Sequence, residues 1–190
     1  MQSGNARCRL FCANHRTGSI VVSDTILLWC NDDWNAVQTL ISASAHLMSD
    51  AIDMGWPLRG AIAYGRCVLD RDSDTYVGLP IVDVARTEKC QAWVGAALHQ
   101  SVLDHPIFGS PIRALEDVIE YSVPVKSRCP VLTHALHWCA YSGRARAALE
   151  EARDRIQEAD VLEYYSRTLA YVLDRCAGYW AAHDPASDRA

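Results

Sequence analysis

The stretch GSIVVSDTILLW, Gly18–Trp29, decides how the chain begins to fold. Ile20 to Val22 and Thr25 to Trp29 are β-branched or apolar runs, and Ser23-Asp24 between them are turn-type residues. The stretch therefore reads as a β-hairpin with a two-residue tip. Immediately beyond it, Asn31-Asp32-Asp33 offers N-cap candidates for a helix over about Trp34 to Met54. Val37, Leu40, Ile41, Met48, Ala51 and Ile52 recur at helical spacing along it, which predicts one buried stripe, and Gly55 and Pro57 stop it.

Further out, LRGAIAYGRCVLD (58–70) reads as one long strand and DRDSD (70–74) as the polar hairpin tip that follows. Tyr76-Val77-Gly78-Leu79-Pro80 leads into a short helix over IVDVARTEKC (81–90), and QAWVGAALHQ (91–100) into a strand that runs on as a helix. HPIFGSPI (105–112), rich in Pro and Gly for its size, reads as a loop. VIEYSVPVK (118–126) and VLTHALHWC (131–139) read as two further strands, and helices over about Gly143 to Ala159 and Val161 to Cys176 close the fold. Strands and helices alternate without regular βαβ spacing. That predicts an α+β sheet with helices packed on it.

The chain has 190 residues, half of them hydrophobic and 22% charged, a balance that allows one domain with a buried core. A net charge of −5 argues against a broad basic surface for nucleic acid or anionic lipid. No stretch of eighteen or more apolar residues appears, so no membrane span is expected. The opening MQSGNARCRLFCANHR lacks the apolar run of a secretory signal, and a cytoplasmic location follows as the expectation. On that reading the eight cysteines are reduced thiols, mostly small buried hydrophobes; Cys30, Cys67, Cys90, Cys129, Cys139 and Cys176 form no CxxC pair.

The order of pieces is also informative. VVSDTILLW, LRGAIAYG and VGLPIVDVARTEK follow one another as a hairpin with Asp at its tip, a strand ending in Gly, and an Arg-bearing helix after a Tyr/Gly step. In this order they resemble the homology domain of class III nucleotide (adenylate/guanylate) cyclases, whose corresponding pieces look like "IGD", "RIGIHTG" and "YGxxVNxAxRxE". The resemblance spans Gly18 to Ser101. The later SVPVK, ALHW and YYSRTLAYVLD look like the C-terminal extension of bacterial cyclase-like proteins, including the pyrimidine-cyclase branch.

The resemblance implies a ferredoxin-like cyclase-type sheet over 18–125. It also implies a C-terminal extension of a strand plus helices over 126–180 and a disordered or truncated segment over 1–17, while the polar tail over 181–190 reads as flexible. It implies conversion of a nucleoside triphosphate to a cyclic mononucleotide and pyrophosphate, with Mg²⁺ or Mn²⁺, at a site shared by a homodimer. Asp24 takes the place of a metal-binding aspartate and Arg86 that of the arginine in "NxAxRxE", which stabilises negative charge in the transition state. Three departures count against activity. The other metal-binding aspartate has no counterpart ahead of Gly18, the asparagine position holds Val82, and the base-selecting position falls near the apolar Ile20. Asp83, beside Val82, is the polar residue placed to contact substrate instead. The expectation is a poor cyclase or none as the sequence stands, the alternative being a non-catalytic cyclase-homology module. A chain started too late in its reading frame would look the same.

Other constellations point elsewhere. Cys8, Cys12 and His15 form C-x₃-C-x₂-H, three zinc-type ligands with no fourth nearby. His134, His137 and Cys139 lie close in sequence, but on a strand the two histidines face opposite ways. Asp70-Arg71-Asp72-Ser73-Asp74 mimics the start of a calcium loop, yet Thr75 and Ile81 stand where Gly and Glu are needed. Gly60 and Gly65 make no phosphate loop, and no G-x-S-x-G or Cys/His nucleophile pattern stands out. Arg144, Arg146, Arg153 and Arg155 interleave with Glu150, Glu151, Asp154 and Glu158, the mark of a solvent-facing helix. Tyr164, Tyr165, Tyr171, Tyr179 and Trp180 are expected to pack on the sheet.

Overall fold

The structure, a computed structural model, describes residues 18–70, 73 and 75–176. The hairpin forms as the sequence predicts: β1 (Gly18–Val22) pairs antiparallel with β2 (Thr25–Trp29) about Ser23-Asp24. Ser23 takes a positive φ of 56°, which lets a two-residue tip match the twist of its strands. Gly18 lies opposite Trp29, and a Cβ on it would collide with the Trp29 indole.

Helix α1 (Trp34–Asp53) starts where Asp33 accepts hydrogen bonds from the Asn35 and Ala36 amides, at 3.1 and 3.2 Å. It ends in a Schellman arrangement, with the Gly55 amide on the Ile52 carbonyl, the Trp56 amide on the Ala51 carbonyl, and Gly55 at φ 81°. Its apolar stripe is buried as expected, Val37, Leu40, Ile41, Met48, Ala51 and Ile52 all lying in the core.

The long strand over 58–70 is in fact two strands in two sheets. β3 (Gly60–Ile62) ends because the Tyr64 amide is taken by the Ser101 hydroxyl at 2.9 Å. Gly65 packs against Pro80 close enough to leave little room for a Cβ, and β4 (Cys67–Asp70) turns off to pair antiparallel with β5 (Thr75–Gly78). Helix α2 (Leu79–Cys90) follows directly, then β6 (Ala96–Leu98) and the single turn α3 (Gln100–Leu103).

The predicted loop at 105–112 contains a short helix, α4 (Gly109–Arg113). The preceding turn is held by His105, whose Nδ1 accepts from the Phe108 amide at 3.0 Å. β7 (Val118–Glu120) and β8 (His134–Leu136) are shorter than expected. Beyond β7 the chain stays extended, the Tyr121 and Val123 amides reaching the Thr133 and Leu132 carbonyls. After β8 it tightens into a 3₁₀ turn, Trp138–Tyr141, and then forms α5 (Ala145–Arg153) and α6 (Ala159–Arg175).

The result is an α+β arrangement. Its main sheet has the order β3-β6-β8-β7, with β3 and β6 parallel and the other pairs antiparallel. β8, which follows residue 125, thus lies inside that sheet. Among the described residues the β1–β2 and β4–β5 hairpins are separate two-stranded sheets. The expectation of reduced thiols is corrected: Cys90 is bridged to Cys129 and Cys139 to Cys176, with Cα separations of 5.6 and 6.4 Å. The partners are 39 and 37 residues apart, so only the tertiary fold reveals them. Cys30 and Cys67 are buried thiols outside these bridges. Among the described residues no helix is long and apolar enough to cross a membrane.

Candidate functional site

The residues singled out by the motif order sit on two surface elements. Asp24 occupies the exposed tip of β1–β2, where its carboxylate accepts a long hydrogen bond of 3.4 Å from the Thr25 hydroxyl. Asp83 is half-buried and Arg86 exposed on α2, three residues apart and so on one side of that helix. Glu88 pairs with Arg59 at 2.6 Å rather than with Arg86. Among the described residues no hydrogen bond or ion pair links Asp24, Asp83 and Arg86 to one another. Val82, at the motif's asparagine position, is 41% exposed.

Mg²⁺ and Mn²⁺ are hard ions that take oxygen ligands, often carboxylates. Asp24 supplies one carboxylate, and it belongs to no cluster of three potential ligands among the described residues. That donor set does not fit a two-ion centre. The calcium-like stretch contributes only Asp70 and Ser73 to the described residues, joined to each other by a 2.7 Å hydrogen bond. Cys8, Cys12 and His15 lie outside the described residues, as do Tyr179 and Trp180.

Two other places bring polar chemistry together. At the start of α3, Ser101 Oγ lies 2.8 Å from His99 Nδ1, the spacing of a nucleophile and its base. The same His99 nitrogen accepts from the Ser101 amide at 3.2 Å, and the Ser101 hydroxyl accepts from the Tyr64 amide. Both groups are therefore occupied in capping a turn and tying β3 to it.

A groove of about 430 Å³ runs beside α1, lined by Asn35, Gln38, Thr39, Ser42, Leu115 and Asp117. At its edge the Tyr141 hydroxyl donates to the Asp117 carboxylate, and the Tyr141 ring stacks on His46 at 3.9 Å. Desolvation first, and the contact with Asp117 second, push the Tyr141 hydroxyl up to about 12, so it remains protonated at neutral pH. The walls are mostly amide and hydroxyl groups and lack the apolar lining typical of small-molecule pockets.

Close behind this groove, His137, Cys139 and Cys176 place their ligand atoms within 4.8 Å of one another. The sequence offers His137 and Cys139 together with His134, on a strand where the two histidines would face opposite ways. The strand ends at Leu136, and His137 opens the 3₁₀ turn that carries Cys139. The third member, Cys176, closes α6 and is invisible to local spacing.

The plainer expectations hold for the charged face of α5 and for Tyr171. Arg146 pairs with Glu150 at 3.0 Å on the surface of α5. Tyr171 is wholly buried and donates to the Leu136 carbonyl at 3.0 Å. Tyr164 lies beneath both Arg59 and Lys126, each about 6 Å from its ring centroid. Compared with protein-family models, with curated proteins and with solved structures, the chain matches none of them.

Proposed function

We propose that this chain is a nucleotide-cyclase-like domain, built for converting a nucleoside triphosphate to a cyclic mononucleotide and pyrophosphate, with little or no turnover as the sequence stands. The observation that carries the reading is the succession of a hairpin with Asp24 at its tip, the long helix α1, strand β3 and helix α2 with Asp83 and Arg86 on one side. In that reading the fold belongs to the ferredoxin-like cyclase type and works as a cytoplasmic homodimer, Arg86 of one protomer facing substrate held by the other.

Low turnover follows from chemistry. Cyclisation sends the ribose 3′-oxygen onto the α-phosphate while pyrophosphate leaves, and negative charge builds on the phosphoryl oxygens. Each lost transition-state contact typically costs roughly 10²–10³ in rate. Only one metal-type carboxylate has a counterpart in this sequence, and Val82 cannot replace an asparagine's hydrogen bonds. Arg86 and Asp83 remain able to bind phosphate and a ribose or base.

The test is incubation of the purified protein with the four ribonucleoside triphosphates and Mn²⁺, followed by mass spectrometry for cyclic products. Trace product or none is expected, with any trace lost in Arg86→Ala. Rapid turnover would contradict the proposal. A chain extended upstream by a strand bearing a second aspartate should gain activity; silence from that version removes the cyclase idea.

A second reading, a non-catalytic module that binds a nucleotide or a protein partner, is favoured by the exposure of Val82 beside Asp83. It predicts a triphosphate-dependent rise in melting temperature without turnover. A rise that survives Arg86→Ala and Asp83→Ala together would place nucleotide binding elsewhere.

A further inference from the structure

His137 is held in an unusual position for a histidine with no catalytic partner. Its backbone amide donates to the Asp117 carbonyl at 2.8 Å, and its Nδ1 lies 3.3 Å from the Glu116 carbonyl. A carbonyl can only accept, so the proton of the neutral ring resides on Nδ1 and the lone pair on Nε2. Among the described residues, Nε2 is buried and has no hydrogen-bond partner. An unsatisfied buried acceptor is costly and calls for an explanation.

The neighbours of the ring supply one. Sγ of Cys139 and Sγ of Cys176 complete a group whose three ligand atoms lie within 4.8 Å of one another, and both cysteines are fully buried. Joined as a disulfide, the two sulfurs have no hydrogen to donate and leave Nε2 unsatisfied. Separated, they become two thiolate ligands beside an imidazole whose other nitrogen is already oriented by a backbone carbonyl. This is the support that metal-bound histidines ordinarily have.

We propose that His137, Cys139 and Cys176 form a redox-gated site for Zn²⁺ or a cation of similar softness. One imidazole nitrogen and two thiolates suit Zn²⁺ and not the hard Mg²⁺ or Mn²⁺, and three protein ligands leave a fourth position for water. The site opens when a dithiol reductant transfers two electrons and two protons to the Cys139–Cys176 disulfide, giving two thiols and the reductant's own disulfide. Zn²⁺ then displaces the two thiol protons, which pass to solvent, while neutral His137 contributes its lone pair and releases none. Metal and disulfide are thus alternative cross-links between the same two points, the turn after β8 and the end of α6. The tie survives in a reducing compartment as a metal bridge and in an oxidising one as a covalent bond. The inference stands apart from the nucleotide reading, since it uses none of Asp24, Asp83 or Arg86.

The test uses the full chain with Cys8, Cys12, Cys90 and Cys129 changed to Ser, which removes the other thiol clusters. The protein is reduced with dithiothreitol, desalted without oxygen, and titrated with Zn²⁺ against a chromophoric chelator and separately with Co²⁺. One equivalent should bind, with about two protons released and the thiolate-to-cobalt charge-transfer and visible bands of a tetrahedral site. The same protein oxidised should bind none. His137→Gln, which keeps the side chain's bulk, should weaken Zn²⁺ binding by more than about 100-fold and change the cobalt spectrum, beyond what loss of a merely supporting contact does. Absence of stoichiometric binding by the reduced protein overturns the proposal. So does equal binding by the oxidised protein, or a cobalt spectrum unchanged by His137→Gln. Cys139→Ser or Cys176→Ser should abolish Zn²⁺ binding, and retained stoichiometric binding by either overturns the proposal; should either fail to fold, the His137→Gln spectrum decides alone.

Discussion

The hairpin β1–β2 leaves Val21 and Val22 68% and 57% exposed, whereas Trp93, Trp138 and Tyr171 are completely enclosed. The hairpin is local: its strands pair with each other across a two-residue tip. The enclosed region is tied together by long-range contacts. Tyr171 meets Trp93 edge-on at 4.9 Å and Tyr121 at 4.8 Å, and its hydroxyl reaches Leu136, 35 residues away. The hairpin carries the motif that suggests a function. The aromatic core, flanked by Cys139–Cys176, joins segments far apart in sequence. Recognisable sequence and structural weight lie in different places.

Removing Trp93 should have the largest effect. Its ring is fully buried and its Nε1 donates to Gln91 Oε1 at 2.8 Å; Gln91 Nε2 in turn donates to the Gly60 carbonyl at 2.7 Å. Trp93→Ala leaves a cavity and an unpaired amide oxygen, and should cost about 3–5 kcal/mol in urea unfolding. A loss below about 1 kcal/mol would mean that the aromatic region is not the folding core.

Thr168→Val isolates one buried hydrogen bond at nearly constant volume. The Thr168 hydroxyl accepts from the Val94 amide at 2.7 Å, 74 positions away, and donates to the Tyr164 carbonyl. Loss of that acceptor orphans a buried amide and should cost about 1–3 kcal/mol. Asp33→Ala tests a local contact of α1 and should cost about 1 kcal/mol, because the Asn35 and Ala36 amides lose their cap. If the cap outweighs the Thr168 bond, the contrast between local and long-range stabilisation is reversed.

These substitutions also mark what was legible in the sequence. The hairpin, the cap at Asp33, the stripe of α1 and the stop at Gly55 were all readable, because each depends on residues within a few positions. The break in the strand over 58–70 was not, since Ser101 captures the Tyr64 amide across 37 residues. Nor were the disulfides, whose spacing carries no motif. A strand through His137 would turn its side chain away from His134, but the strand ends one residue short of it at Leu136, and Cys176, the third member of the cluster, lies 37 residues from Cys139. The motif residues Asp24, Asp83 and Arg86 were picked out by order alone, and local order says nothing about whether the fold joins them.

Tyr141 supplies a smaller, pH-dependent effect at the edge of the core. Its hydroxyl is raised from 10 to about 12 in the folded chain, so the native state holds its proton more tightly than the unfolded state. The stability this contributes is complete below pH 10 and disappears as pH rises towards 12. In Tyr141→Phe that part of the alkaline decline should vanish, measured as melting temperature against pH. An unchanged profile would show that neither burial nor the Asp117 contact raises this hydroxyl in solution.

The smallest effect belongs to the hairpin itself. Ser23 holds a φ of 56°, a conformation that costs an L-residue roughly 1 kcal/mol and glycine almost nothing. Glycine also gives the unfolded chain more freedom, which offsets much of the relief. Ser23→Gly should therefore change global stability by no more than about 0.5 kcal/mol, while slowing amide exchange in β1 and β2 through a better tip. Global and local readouts separate if the hairpin, a two-stranded sheet of its own among the described residues but anchored in the core through Trp29, opens independently. A global shift as large as that of Asp33→Ala would instead show that opening of the hairpin and unfolding of the core are one event, and Asp24 would then sit on a rigid part of the domain.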